Sequence, residues 1–454
     1  MSSGQMLILM ALSSFLVLPG EPFQTPKPPS AADLLVADEV DKAEAFLSTQ
    51  TRSAETIALQ GEVAFRRGDF AKADTLYKEA LRMDDKSARA HFGIGKLALT
   101  KLKARDAVRE IARAIALSPA EALYRYHASE AYGTNKQYAE QTKQLQEYVR
   151  LNPVNDQERV LEAKAALEMI ASFNGQDIAL VVAPASPAPI PLTKTLNLLF
   201  AKVMIDGKGP YNFAIDSGAT QVVLSERLAT RLGLTPVTTT LMHGVGGAGK
   251  VESKLYKVGE ISIGDVRVKN VPLGTFNDPL ISQLADGILG TAVLSDFIVT
   301  IDYPNNRMEL TKKAAAATPT TDTLSARYFS NLMLVPLEVN GKFRGNFIVD
   351  TGAVTTVLSH STAALLGVKP DTPGARIELG VAGVGGVEGV VLRVPSVTLK
   401  TPKNSDTFAQ LVSIDMKEIS KMIGTEVSGI LGFDFLENYK LVIDYYGAEV
   451  RLVK

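Results

Sequence analysis

The tripeptide Asp216-Ser217-Gly218 recurs as Asp350-Thr351-Gly352, each between the same two kinds of segment, so the chain carries equivalent carboxylates in two related halves. Upstream lie Tyr211-Asn212-Phe213-Ala214-Ile215 and Gly345-Asn346-Phe347-Ile348-Val349. Downstream lie Ala219-Thr220-Gln221-Val222-Val223-Leu224-Ser225 and Ala353-Val354-Thr355-Thr356-Val357-Leu358-Ser359. Both halves thus predict an aspartate at a strand end, a glycine turn and a second strand. One Asp-Ser/Thr-Gly alone is ordinary turn chemistry. The repeat removes that reading: Asn212, Phe213, Leu224, Ser225, Leu232 and Gly233 match Asn346, Phe347, Leu358, Ser359, Leu366 and Gly367 at a constant offset of 134.

The match resumes beyond insertions. Gly244-Val245-Gly246-Gly247 faces Gly383-Val384-Gly385-Gly386 at offset 139. At offset 142, Gly287-Ile288-Leu289-Gly290 faces Gly429-Ile430-Leu431-Gly432, and Val299-Thr300-Ile301-Asp302-Tyr303 faces Leu441-Val442-Ile443-Asp444-Tyr445. In this order the half resembles the aspartic peptidases in their retroviral-like form. An Asp-Thr/Ser-Gly-Ala motif is followed there by a glycine-rich flap and an apolar-apolar-Gly segment beneath the aspartate loop. The resemblance covers about residues 194–454. It implies a single-chain, two-lobed, mostly β peptidase with Asp216 and Asp350 as the catalytic pair. It also implies that Ser217, Gly218, Thr351 and Gly352 shape and tie the two aspartate loops. Gly244, Val245, Gly246 and Gly247, with Gly383, Val384, Gly385 and Gly386, are the flap candidates that would close on an extended peptide. Neither glycine run is followed by Gly-Lys-Ser/Thr and a helix, which argues against a phosphate cradle.

Two carboxylates can do what peptide hydrolysis needs, activating a water on one side and protonating the leaving nitrogen on the other. Within about 3 Å of each other they cannot both ionise, so the pair holds one proton over its working range. Asp302 and Asp444 repeat as well, but each precedes Tyr at a strand end, and both are expected to be turn or surface residues. Each half is longer than a minimal retroviral-like subunit; the extra segments Leu255 to Phe276 and Leu392 to Met422 have no assigned role.

Composition narrows the chemistry. Lys+Arg 48 against Asp+Glu 49 gives a net charge of -1 without a long basic run, so nucleic acid is not an expected partner. Four histidines and no cysteine leave little for a transition-metal site, so neither metal nor cofactor is expected.

Between about Thr56 and Pro153, small or apolar landmarks return every 34 residues. They are Gly61, Gly95 and Ser129; Ala73, Ala107 and Gln141; Tyr77, Ile111 and Leu145; and Ala80, Ala114 and Tyr148. Asp85, Pro119 and Pro153 end the successive units. This period resembles tetratricopeptide repeats, whose stacked helix pairs bury a face that one pair cannot bury alone. A groove for a peptide or protein partner and a bundle that merely packs on the other domain both fit the pattern.

The expected architecture is multidomain: an N-terminal all-α tetratricopeptide-like solenoid and a C-terminal all-β bilobal aspartic-peptidase fold. Residues 1–20 are expected to be an export signal or, if uncleaved, an N-terminal anchor, placing the protein in the periplasm or outside the cell. A Pro-rich tether and lead-in helix (21–50) precede the repeats (51–171) and a Pro-rich linker (172–193). Lobe 1 (194–313), an inter-lobe linker (314–326) and lobe 2 (327–454) complete the chain, which is expected to act as a monomer. The function expected is an aspartic endopeptidase acting on a peptide or protein substrate. The alternative is a catalytically silent binding or scaffold protein that uses the repeats and the peptidase-like cleft.

Overall fold

The computed structural model describes residues 29–184, 187–243, 250–312, 323–329, 332–377 and 390–454. Its N-terminal part is helical: α1 Ala31–Val36, α2 Val40–Ser48, α3 Ala54–Arg66, α4 Phe70–Met83, α5 Ala88–Leu99, α6 Ala104–Leu117, α7 Ala122–Thr134, α8 Tyr138–Leu151 and α9 Gln157–Ser172. The pairs α3/α4, α5/α6 and α7/α8 start 34 residues apart, and their helix starts are fixed locally. Ser53, Asp69 and Ser87 accept the amides of Thr56, Lys72 and Ala90, satisfying donors that a helix start leaves open. Small residues stand where helices touch. The Tyr77 ring of α4 fills the space beside Gly61 and Gly93, where a Cβ would lie 2.8 Å and 2.3 Å from ring atoms. These are tetratricopeptide-type repeats by spacing and by packing. The lead-in is a pair of helices, α1 and α2, whose Leu34, Leu35, Ala43 and Leu47 pack on Leu59 and Val63 of α3.

From residue 180 the chain is mostly β, in two lobes built alike. In lobe 1, strand Lys208–Ile215 carries Asp216 at its end and runs parallel to Gly287–Leu289, which also pairs antiparallel with Val222–Ser225. In lobe 2, Phe343–Val349 runs parallel to Gly429–Leu431, which pairs with Val357–Ser359. Ile288 therefore sits between Ala214 and Val223, and Ile430 between Ile348 and Val357. The segments left unassigned by the sequence form long hairpins of these sheets, Lys250–Ile263 with Val266–Phe276 and Val391–Lys400 with Ser405–Ile414.

A six-stranded sheet joins the lobes, in the order Thr323–Ser325, Glu449–Val453, Lys440–Asp444, Ile298–Asp302, Arg307–Thr311, Ile190–Pro191. At its centre Thr300 pairs antiparallel with Val442, its own counterpart, so a local twofold passes between them. One apolar core runs through this sheet into both lobes, including Ile301, Ile443, Phe213 and Phe347.

Two segments expected to be plain linkers contribute strands. Leu180–Val182 pairs with lobe 1, and Ile190–Pro191 forms an edge of the joining sheet. Proline is tolerated there because an edge strand can face its missing donor away from the ladder. Thr323–Ser325, at the end of the inter-lobe segment, forms the opposite edge. Asp302 is also not a surface residue. It is buried, accepts the amide and side-chain nitrogen of Asn305 at 3.2 and 2.8 Å and pairs with Arg307 at 3.2 Å. The Asn305 bonds hold its carboxyl below the usual range. Asp444 does form a turn, accepting from the amides of Tyr446 and Gly447.

The helices rest on the lobes through the turns that join the two helices of each pair. Phe65 and Gly68 carbonyls accept from Thr425 Oγ1 (2.8 Å) and Asn346 Nδ2 (3.3 Å), and the Thr100 carbonyl accepts the Tyr328 amide at 2.8 Å. Lys136 pairs with Asp296 of lobe 1 at 2.7 Å. Phe329 of lobe 2 meets Phe65 and Phe70 with ring centroids 6.0 and 5.7 Å away. These rings belong to a buried cluster that also holds Ile348, Val357 and Ile430. Phe329→Ala is expected to cost about 3–5 kcal/mol through lost burial and a residual cavity. Urea unfolding of the full chain checks this; a loss under about 1 kcal/mol would mean that the interface is not packed as described.

Candidate active site

The two aspartate loops meet across the local twofold and exchange hydrogen bonds. The Ser217 amide donates to Thr351 Oγ1 at 3.0 Å, and the Thr351 amide donates to Ser217 Oγ at 3.1 Å. Each hydroxyl then donates into the opposite strand, Ser217 Oγ to the Val349 carbonyl and Thr351 Oγ1 to the Ile215 carbonyl, both at 2.8 Å. Ser217 and Thr351 are each 1% exposed, so neither bond competes with solvent. The strands beneath hold the loops in place, with the amides of Asp216 and Asp350 donating to the Leu289 and Leu431 carbonyls.

Asp216 and Asp350 are brought together and joined by a side-chain hydrogen bond. Asp216 Oδ1 accepts the amides of Gly218 (2.8 Å) and Ala219 (3.0 Å), and Asp350 Oδ1 accepts the Gly352 amide at 2.8 Å. The glycines are required by closeness. A Cβ on Gly218 would lie 2.4 Å from Asp350 Cγ, and one on Gly352 would lie 2.4 Å from Asp216 Cγ.

Burial is the largest influence on both carboxyls and pushes them up. The Asp216 charge pushes Asp350 further, well above the ordinary carboxylate range, while the hydrogen bond from Asp350 and the loop amides partly offset burial at Asp216. The two titrate as a pair and hold one proton where isolated carboxylates have none.

The flap candidates Gly244, Val245, Gly246, Gly247, Gly383, Val384, Gly385 and Gly386 lie outside the described residues. The strands on either side of them are Thr238–His243 and Lys250–Ile263 in lobe 1, and Arg376–Ile377 and Val391–Lys400 in lobe 2.

Sequence reasoning missed several supports. Asp286 accepts the Asn212 amide at 3.0 Å, and Ser428 Oγ accepts the Asn346 amide at 3.0 Å; they occupy equivalent places with different residues, so an identity repeat does not show them. Asp434 accepts the amide and hydroxyl of Thr356 and the hydroxyl of Thr355, bracing the loop after Asp350. Its lobe 1 counterpart is Ala292, which leaves no pair for the repeat to reveal.

Residues 201–293 and 335–435 each match the family described as aspartyl protease. Both lobes are similar to aspartyl-protease domains over these residues. Each match spans one aspartate loop and the Gly-Ile-Leu-Gly segment beneath it, and stops short of the strands of the joining sheet that follow. No curated protein matches the chain. Among solved structures, the Yersinia enterocolitica type III secretion translocator chaperone SycD is 16% identical, covering 28% of this chain and 98% of its own, with a TM-score of 0.26. MamA is 17% identical, covering 32% of this chain and 84% of its own, with a TM-score of 0.26. The first TPR domain of Spaghetti (RPAP3), bound to the HSP90 peptide SRMEEVD, is 17% identical, covering 28% and 97%, with a TM-score of 0.25.

Two outcomes follow for the aspartate pair. Thr351→Val keeps the shape but leaves the buried Ser217 amide without an acceptor, and is expected to cost about 1–3 kcal/mol, whereas Thr351→Ser should cost less. Chemical unfolding of the two variants distinguishes them. The second outcome concerns pH. The folded pair binds a proton that the unfolded chain releases near 3.8, so its favourable contribution is complete below that value and is lost as pH rises through the raised values. Asp350→Asn escapes this loss, and its melting temperature is expected to gain on wild type as pH rises from about 4 through the raised values. A constant difference across that range would contradict the raised carboxyls.

Proposed function

We propose that the protein is an aspartic endopeptidase that hydrolyses peptide bonds with a water held between Asp216 and Asp350. The observation that carries this reading is the hydrogen-bonded carboxyl pair, fixed by reciprocal loop bonds and shifted upward by burial.

In the monoanionic dyad, the ionised carboxylate takes a proton from the water as its oxygen attacks the peptide carbonyl. The protonated partner donates to the carbonyl oxygen, giving a gem-diol with no covalent enzyme intermediate. Proton transfer to the nitrogen then releases the amine as the C–N bond breaks, and the other product leaves as an acid. The apolar rows Ala214, Ile288, Val223 and Ile348, Ile430, Val357 are buried, the second row against the helical domain, so they support the sheets and do not line the cleft. An extended peptide would cross above the two aspartates. The flap segments would close over that peptide, and the helical repeats would dock the substrate or a protein partner. The apolar N-terminal segment supports export to the periplasm or cell exterior, with or without retention as an anchor.

The test is incubation with denatured proteins from acidic to neutral pH, comparing wild type with Asp216→Asn and Asp350→Asn. Either substitution is expected to lower cleavage by at least about 1,000-fold, because the two carboxyls act as one unit. Equal cleavage by all three proteins would overturn the assignment. Peptide binding without cleavage by wild type would favour a silent binding protein.

A further inference from the structure

Tyr303 and Tyr445 occupy equivalent places, each directly after the aspartate that ends a central strand of the joining sheet. They are 6% and 4% exposed, and neither hydroxyl has a hydrogen-bond partner among the described residues. A buried phenol normally finds a partner, because leaving its hydroxyl dry is costly. Two such hydroxyls related by the local twofold are unlike an isolated packing defect.

Each packs edge-on against an aromatic ring of lobe 2. Tyr303 leaves lobe 1 and meets Phe433 of lobe 2 edge-on, with centroids 5.5 Å apart. The Phe433 amide donates to the Ala353 carbonyl at 2.8 Å, three residues after Asp350, so Tyr303 lies beside the lobe 2 aspartate loop. In lobe 1 the place of Phe433 is taken by Thr291, whose amide and hydroxyl donate to the Ala219 carbonyl at 2.8 and 3.0 Å. Tyr445, the counterpart of Tyr303 across the local twofold, packs edge-on to Tyr328 at 6.2 Å.

We propose that Tyr303 and Tyr445 are positioning residues of the dyad, each donating its hydroxyl through a buried water to the aspartate of the opposite lobe, Tyr303 to Asp350 and Tyr445 to Asp216. The inference rests on the reading of the dyad as a proton-sharing pair. The charges that face the phenols fit this pairing. Burial raises both; Asp350 and Glu437 add to the rise at Tyr303, and Tyr328 and Asp216 to that at Tyr445. A water in such a site would have the phenol and the carboxyl as partners, consistent with the two to four bonds a buried water makes. Donation from below stabilises the ionised carboxyl and leaves its cleft-facing oxygen free for the reacting water.

The test uses the full chain with 13C-carboxyl aspartate, its dyad signals assigned with Asp216→Asn and Asp350→Asn. Removing a donor disfavours ionisation, so the dyad titration is expected to move upward by about half a pH unit in Tyr303→Phe and in Tyr445→Phe, and further in the double variant. Melting temperatures should stay level or fall. An unchanged or lowered titration overturns the proposal, as does a raised melting temperature, which would mark the hydroxyls as dry. 3-Fluorotyrosine at either position, a stronger donor of nearly the same shape, should move the titration downward and keeps the test decisive if a phenylalanine variant does not fold. The titration needs no turnover. A chain that fails to cleave would overturn the peptidase reading while the NMR result still judges the tyrosines, and a chain that cleaves should show the same upward displacement in its pH–rate profile.

Discussion

Everything at the centre of this molecule depends on the exchange between Ser217 and Thr351. Each hydroxyl accepts the other loop's amide and donates to the carbonyl of the residue just before the other loop's aspartate. Four bonds thus fix the two carboxyls relative to each other rather than each to its own lobe. This placement is what forces a shared proton: two buried acids held this close cannot both carry charge. The joining sheet makes the arrangement permanent. Its central strands bring the halves into one core, so the dyad need not assemble from separate chains.

The helical domain is a structural partner of the lobes. Its turns contact lobe 2 through Phe65, Gly68 and Thr100, and lobe 1 through Lys136. The aromatic cluster of Phe65, Phe70 and Phe329 makes the lobe 2 contact an apolar one as well as a hydrogen-bonded one. Lys257 of lobe 1 also reaches the Ser172 carbonyl at the end of α9, so the repeats lie along both lobes.

Much of the plan was legible in the chain. The offset of 134 placed Asp216 and Asp350 in equivalent loops, because turns need particular residues at fixed places and duplication preserved them. The 34-residue landmarks were readable for a similar reason, since Gly61 accommodates Tyr77 and Gly95 accommodates Ile111, and a larger residue at either glycine would collide. Less was visible where structure rests on long-range pairing. Ile190–Pro191 looked like linker because proline breaks local patterns, yet an edge strand tolerates it. Asp302 was expected to be a turn or surface residue; it does cap a turn, and its burial goes with the partners Asn305 and Arg307, which no periodicity announces. Asp286 and Ser428 do one job with different chemistry, so comparing residue identities passes over them.

Housing both halves in one polypeptide frees them from matching. In an assembly of identical subunits any change on one wall of the cleft is copied onto the other, whereas here each wall mutates alone. The divergence is already written around the dyad: alanine at 214 faces isoleucine at 348, threonine at 291 faces phenylalanine at 433, and the aspartate at 434 has an alanine opposite it at 292. A common scaffold thereby surrounds the dyad with different side chains in its two halves.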